Sequence, residues 1–80
     1  MNKELQDYYE ERFSTFATKG WVDFIEDMKA LQQPLLNIKS IKTEQELQFR
    51  KGQLDILDWV IGLQEMSEKA FSDLLQTEGN

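Results

Sequence analysis

The sequence predicts an all-α protein in which two shorter helices pack on one long C-terminal helix, as a helical hairpin or three-helix bundle. Three observations predict it. Apolar residues recur at spacings of three and four along most of the chain, the period of a helix face. Only one Pro and four Gly punctuate 80 residues, so long regular elements are expected. The run Thr43-Glu44-Gln45-Glu46 has the form of a capping box, a signal that starts a helix. The length allows one domain, residues 1–80, and the 40% apolar content is too high for a disordered acidic tail.

The first helix is expected over residues 2–16, where Leu5, Tyr8, Tyr9, Phe13 and Phe16 share one face. Lys3, Asp7, Glu10, Glu11 and Ser14 take the other. Thr18 then offers a hydroxyl to the orphan N–H groups of a second helix over residues 18–33. Its apolar stripe is Trp21, Phe24, Ile25, Met28 and Leu31, and Pro34 should end or kink it near Gln33. The two tryptophans, Trp21 and Trp59, each sit within an apolar stripe, which makes core packing the plainer role beside that of a partner anchor. The connector Leu35 to Lys42 is apolar for a loop, with Leu35, Leu36, Ile38 and Ile41, and is expected to fold back over the helices.

The third helix is expected over residues 44–76. Thr43 would accept from the amide of Glu46, whose carboxylate would reach back to the Thr43 amide. Some 33 residues then run without a strong stop, about 50 Å at 1.5 Å per residue. Gly52 and Gly62 lie inside, each costing up to about 1 kcal/mol relative to Ala, so close packing or a bend is expected at them. On a wheel, Leu47, Leu54, Leu57, Ile61 and Leu75 fall in one sector. Ile56, Trp59, Val60, Leu63, Ala70 and Leu74 fall in a second with Gly52, and Phe71 lies between. The apolar surface covers about two thirds of the circumference, where one side of a small domain needs a stripe of about 100°. The surplus residues Leu47, Leu54, Leu57, Ile61, Phe71 and Leu75 are therefore expected at a partner interface, and the protein is expected to be oligomeric.

Charge is segregated. The formal net charge is -6. Residues 1–31 carry four cations against seven anions, residues 32–53 four against two, and residues 54–80 one against six. A basic middle between acidic ends suits antiparallel packing of copies or an oriented dock on a partner; a solvated surface is the plainer reading.

The chain has no Cys and no His, which excludes disulfides, thiolate nucleophiles, imidazole acid–base chemistry and zinc sites built on those residues. Carboxylate pairs remain: Asp23 with Glu26, and Asp55 with Asp58. Spaced by three, each pair shares a helix face and could converge on a hard cation. They superficially resemble the acidic pairs of all-α nucleotide pyrophosphohydrolases. In a chain where 15 of 80 residues are acidic such pairs also arise by chance, and no nucleotide signature accompanies them. No catalytic residue, cofactor or metal is therefore assigned, and the chain is expected not to be an enzyme. Four cations in residues 32–53 of an anionic chain make nucleic-acid binding unattractive. The start of the chain is charged where a signal peptide needs an apolar run. The longest charge-free stretch, residues 30–38, is far short of the roughly 20 residues a bilayer helix needs. A soluble protein without membrane contact is expected.

Two stretches carry a likeness. Thr18-Lys19-Gly20-Trp21-Val22-Asp23-Phe24-Ile25-Glu26-Asp27 is one, and Glu46-Leu47-Gln48-Phe49-Arg50-Lys51-Gly52-Gln53-Leu54-Asp55-Ile56-Leu57-Asp58-Trp59 the other. Together they resemble small helical proteins of short-tailed, podovirus-like bacteriophages, encoded among virion-morphogenesis genes. That group supplies no catalytic residues to carry over. The resemblance implies a phage origin and a virion or assembly role, in the particle or in the host cytoplasm during infection. The expected partners are further copies of the chain or a larger virion protein such as a portal or head–tail component. The competing expectation is a small acidic inhibitor of a host or defence protein.

Overall fold

The computed structural model describes residues 1–78. Over these the protein is all-α, with four α-helices: α1 (Lys3–Phe16), α2 (Lys19–Leu35), α3 (Glu44–Ile61) and α4 (Leu63–Glu78), and a 3-10 turn at Ile38–Ser40. No helix among the described residues is long and apolar enough to cross a membrane. The chain divides into two compact units. One holds Met1–Val22 with residues 62–78, and the other is Asp23–Ile61. α2 starts in the first and continues into the second.

Local chemistry explains most of the helix ends. Asn2 caps α1, its Oδ1 accepting from the Leu5 amide at 2.7 Å. Thr18 serves two helices at once. Its hydroxyl donates to the Thr15 carbonyl at the end of α1 (2.8 Å) and accepts from the Trp21 amide at the start of α2 (3.1 Å). Two residues, Ala17 and Thr18, therefore suffice to join the helices. At α3 the Thr43 hydroxyl accepts from the Glu46 amide at 3.0 Å, the first half of the expected capping box. The second half is displaced by one residue: the Glu46 carboxylate accepts from the Lys42 amide at 2.8 Å, not from that of Thr43.

Three sequence expectations are revised. α2 passes through Pro34 to Leu35. A proline in the last turn forfeits only its own bond to the carbonyl four residues back, and the turn closes with shorter i to i+3 bonds, Leu36 N–H to Gln33 and Asn37 N–H to Pro34. The segment expected as one long helix over residues 44–76 is two, α3 and α4, parted at Gly62. Gly62 stands before α4 as its capping residue, its carbonyl accepting from the Met66 amide at 3.0 Å. The connector, expected to fold back over the helices, does so only in part: Leu35 and Ile41 are half-buried, while Leu36 is exposed and Ile38 is 72% exposed.

In the first unit, α1 packs against α4 through aromatic rings. Tyr9 and Phe13 each meet Phe71 with centroids 5.4 Å apart, and Phe13 meets Phe16 at 6.4 Å. Phe16 meets Trp21 at 4.9 Å. Offset and edge contacts of this kind contribute about 0.5–1.5 kcal/mol each beyond the area they bury. Phe16, at 5% exposure, is the one buried apolar side chain among the described residues. The second unit is an antiparallel pair, α2 against α3. Gln32 donates to Asp58 at 2.6 Å, and Arg50 spans the end of α2. No residue of this unit falls in the buried class.

Candidate functional site

The surface of the second unit is built by α3. Its half-buried residues are Leu47, Arg50, Gln53, Leu54, Leu57, Val60 and Ile61, with Gln53 and Leu57 turned toward α2. The remaining apolar residues leave that side. Phe49 is 70% exposed, Ile56 65% and Trp59 56%. Phe49, Gly52, Ile56 and Trp59 are spaced three, four and three residues apart, which puts them on one stripe. A Cβ built on Gly52 meets no atom within 4 Å, so nothing in the chain itself requires glycine there. Beside the stripe, an open groove of about 450 Å³ lies between the helices, lined by Leu31, Pro34, Leu35, Gln53, Ile56 and Leu57. Ile56 belongs to both features.

The floor of this surface is held by Arg50. One guanidinium nitrogen donates to the carbonyls of Leu35 and Asn37, both at 3.1 Å, and the other to the Ser40 hydroxyl at 3.2 Å. The Leu35 carbonyl is an orphan acceptor of the α2 terminus, so Arg50 caps α2 from α3 and fastens the connector in one side chain. Sequence reading grouped Arg50 with Lys39, Lys42 and Lys51 as part of a basic surface. Its partners become visible only when α2 and α3 are placed side by side.

Of the six residues expected at a partner interface, Leu47, Leu54, Leu57 and Ile61 are half-buried on α3, and Leu75 is exposed on α4. Phe71 is half-buried on α4 within the ring cluster with Tyr9 and Phe13. Phe49, the most exposed aromatic residue, was in neither wheel sector of the sequence reading. Its signal was its spacing of seven from Ile56.

The first unit has a smaller cleft of about 330 Å³, lined by Tyr8, Glu11, Arg12, Thr15, Phe16, Trp21 and Leu63. Arg12 lies over the Tyr8 ring, 4.6 Å from its centroid, and donates to the Tyr8 hydroxyl. It also donates to the hydroxyl of Ser67 at 3.3 Å, the buried polar residue of α4. This cation satisfies a buried hydroxyl and stacks on a ring, both of which tie α1 to α4. For the carboxylate pairs, Asp58 accepts from Gln32, and no group of three metal-ligating side chains is found among the described residues.

No family model, curated protein or solved structure matches the chain.

Proposed function

We propose that the protein is a non-enzymatic bacteriophage assembly protein that works by presenting an apolar helical face to a protein partner. The observation that carries this reading is the exposure of large apolar side chains on one unit: Leu31, Phe49, Ile56 and Trp59 all lie open. Contiguous apolar surface of this kind on a small protein marks an interaction site. The placement in a phage particle rests on the resemblance of residues 18–27 and 46–59 described above. The second stretch contains Phe49, Gly52, Ile56 and Trp59.

The test is quantitative mass spectrometry of purified particles together with pull-down on the virion proteins. A fixed copy number per particle, or retention on a portal or head–tail component that is lost in Phe49→Asp/Trp59→Asp, supports the reading. Absence from particles at every assembly stage, with no virion protein retained, overturns it. In that event the acidic segment 54–80, with one cation against six anions, favours an inhibitor of a host protein.

A further inference from the structure

The cleft of the first unit is lined by two opposite charges that are not spent on each other. Tyr8, Glu11, Arg12 and Thr15 line it from one face of α1, at spacings of three, one and three. Its apolar walls are Phe16, Trp21 and Leu63. Arg12 is half-buried and forms no ion pair among the described residues; its partners are the hydroxyls of Ser67 and Tyr8 and the Tyr8 ring. A guanidinium carries five N–H groups, and the two hydroxyls take two of them. The Glu11 carboxylate has no ion pair either, since the bond at this residue runs from the Thr15 hydroxyl to the Glu11 backbone carbonyl at 3.2 Å. Neighbouring residues on a helix diverge by about 100°, so Glu11 and Arg12 flank the cleft without meeting. We infer that the cleft binds an α-amino-acid residue with a free carboxylate and an apolar side chain. The carboxylate sits on Arg12, the N–H or ammonium on Glu11, and the side chain between Phe16, Trp21 and Leu63.

Each feature of the ligand answers to a feature of the cleft. A partly desolvated guanidinium gains most from an ionised acceptor, and its planar fork matches a carboxylate with two parallel bonds. The chain has 15 acidic residues and gives none of those described to Arg12, so the counter-charge is left for a ligand to supply. Glu11 narrows the choice of anion. Beside it a doubly charged phosphate is repelled more strongly than a singly charged carboxylate. Glu11 also calls for a donor on the same molecule, close to the carboxylate, and the amino nitrogen of an α-amino acid is that donor.

Size and rigidity point the same way. A cleft of about 330 Å³ lies at the small end of the roughly 300–1000 Å³ range of ligand sites, which suits one residue and not a helix. The Tyr8 ring and the Ser67 hydroxyl hold the guanidinium in place before any ligand arrives, so less freedom is lost on binding. A free amino acid and the C-terminal residue of a peptide share this chemistry. The site lies wholly in the first unit and owes nothing to the exposed face of α3.

Amide chemical-shift titration of the full chain tests it, with leucine, N-acetyl-leucine, N-acetyl-leucinamide and a short peptide ending in leucine, each to about 20 mM. The expected result is saturable shifts at Tyr8, Thr15, Trp21 and Leu63 with a dissociation constant near 1 mM or below. N-acetyl-leucinamide, which lacks the carboxylate, should bind about tenfold more weakly than N-acetyl-leucine. Glu11→Gln is the discriminating variant, because its exposed side chain holds nothing in the fold. It should weaken leucine, whose ammonium loses its counter-charge, and tighten N-acetyl-leucine, whose carboxylate loses a neighbour of like sign. A merely solvated Glu11 would move neither. Arg12→Met should abolish binding of both, and the wild-type comparison of acid with amide decides the matter even where that variant unfolds. A peptide bound about tenfold tighter than leucine assigns the cleft to a protein C-terminus; equal or weaker binding assigns it to the free amino acid. Absence of saturable shifts at the cleft with all four compounds overturns the inference, as does equal affinity for acid and amide. Neither result touches particle composition, so the assembly reading stands or falls separately.

Discussion

In the first unit, Tyr9, Phe13, Phe16, Trp21 and Phe71 form a connected series of ring contacts that joins α1, α4 and the first turn of α2. In the second unit Phe49 and Trp59 stand exposed on α3, no residue is fully buried, and hydrogen bonds join Gln32 to Asp58 and Arg50 to Leu35, Asn37 and Ser40. Similar side chains thus hold the fold together in one unit and are left over in the other. The difference teaches where stability and association reside. An aromatic residue whose partners lie within its own unit contributes to folding. One that faces solvent contributes little until another chain covers it.

The sharpest way to break this contrast is to truncate one aromatic on each side. Phe16→Ala empties the most buried apolar position and removes contacts with Phe13 and Trp21. It should cost about 3–5 kcal/mol, a large share of the roughly 4–12 kcal/mol expected for a chain of this length. Phe49→Ala, at a position 70% exposed, should change the stability of a dilute sample by less than about 0.5 kcal/mol. Urea unfolding at low protein concentration measures both. Equal losses in the two variants would mean that the second unit has a core the exposures do not reveal.

A smaller effect is expected at Arg50, which tests whether polar ties hold the second unit. Arg50→Met keeps the aliphatic stem and deletes three hydrogen bonds, leaving the Leu35 and Asn37 carbonyls to water. The expected loss is about 1.5–3 kcal/mol, toward the lower end because the site is only partly buried. Amide hydrogen exchange should speed up first at Ser40 and Ile41, whose N–H groups donate to Asn37 and Ile38 within the connector. Unchanged exchange there would mean that the 3-10 turn holds without the guanidinium. Arg50→Lys should behave like Met more than like Arg, because one ammonium cannot reproduce the fork that reaches Asn37 and Ser40 together.

These residues also mark how far the sequence could be read. The caps at Thr18 and Thr43 were legible because capping is a local matter, settled within four residues. The break at Gly62 was legible only as a cost, since low helix propensity shows that a helix is weak at a point without showing that it stops. Treating residues 44–76 as one helix placed Leu75 in one sector with Leu47, although they lie on separate helices. Within α3 alone the exposed apolar residues are Ile56 and Trp59, of the second sector, and Phe49, of neither, while Leu47, Leu54, Leu57 and Ile61 of the first are half-buried. Arg50 and Phe71 were opaque for a different reason. One answers to the end of α2 and the other to two rings of α1, and no pattern internal to α3 or α4 encodes either partner. The displaced reach-back of Glu46 to Lys42 lies between these cases, because a flexible carboxylate chooses between two neighbouring amides.

The smallest expected effect sets one glycine in each unit against the other. Gly20 lies in the first turn of α2, within the first unit, and like Gly52 it would place a Cβ in open space. Neither glycine has a positive φ, so neither is required by backbone conformation. Gly20→Ala should therefore stabilise the chain by about 0.5 kcal/mol, less than mid-helix because the first turn is only partly committed to helical bonds. That gain should be the same at every protein concentration. Gly52→Ala, in mid-helix, should stabilise the dilute chain by a similar or larger amount. Thermal melts of both variants across a hundredfold dilution series, about two decades, would make the comparison. Parallel behaviour of the two would identify Gly52 as an unforced weakness of α3. Divergence would assign the two glycines to different tasks, one tolerated within a folded unit and the other kept open for a partner.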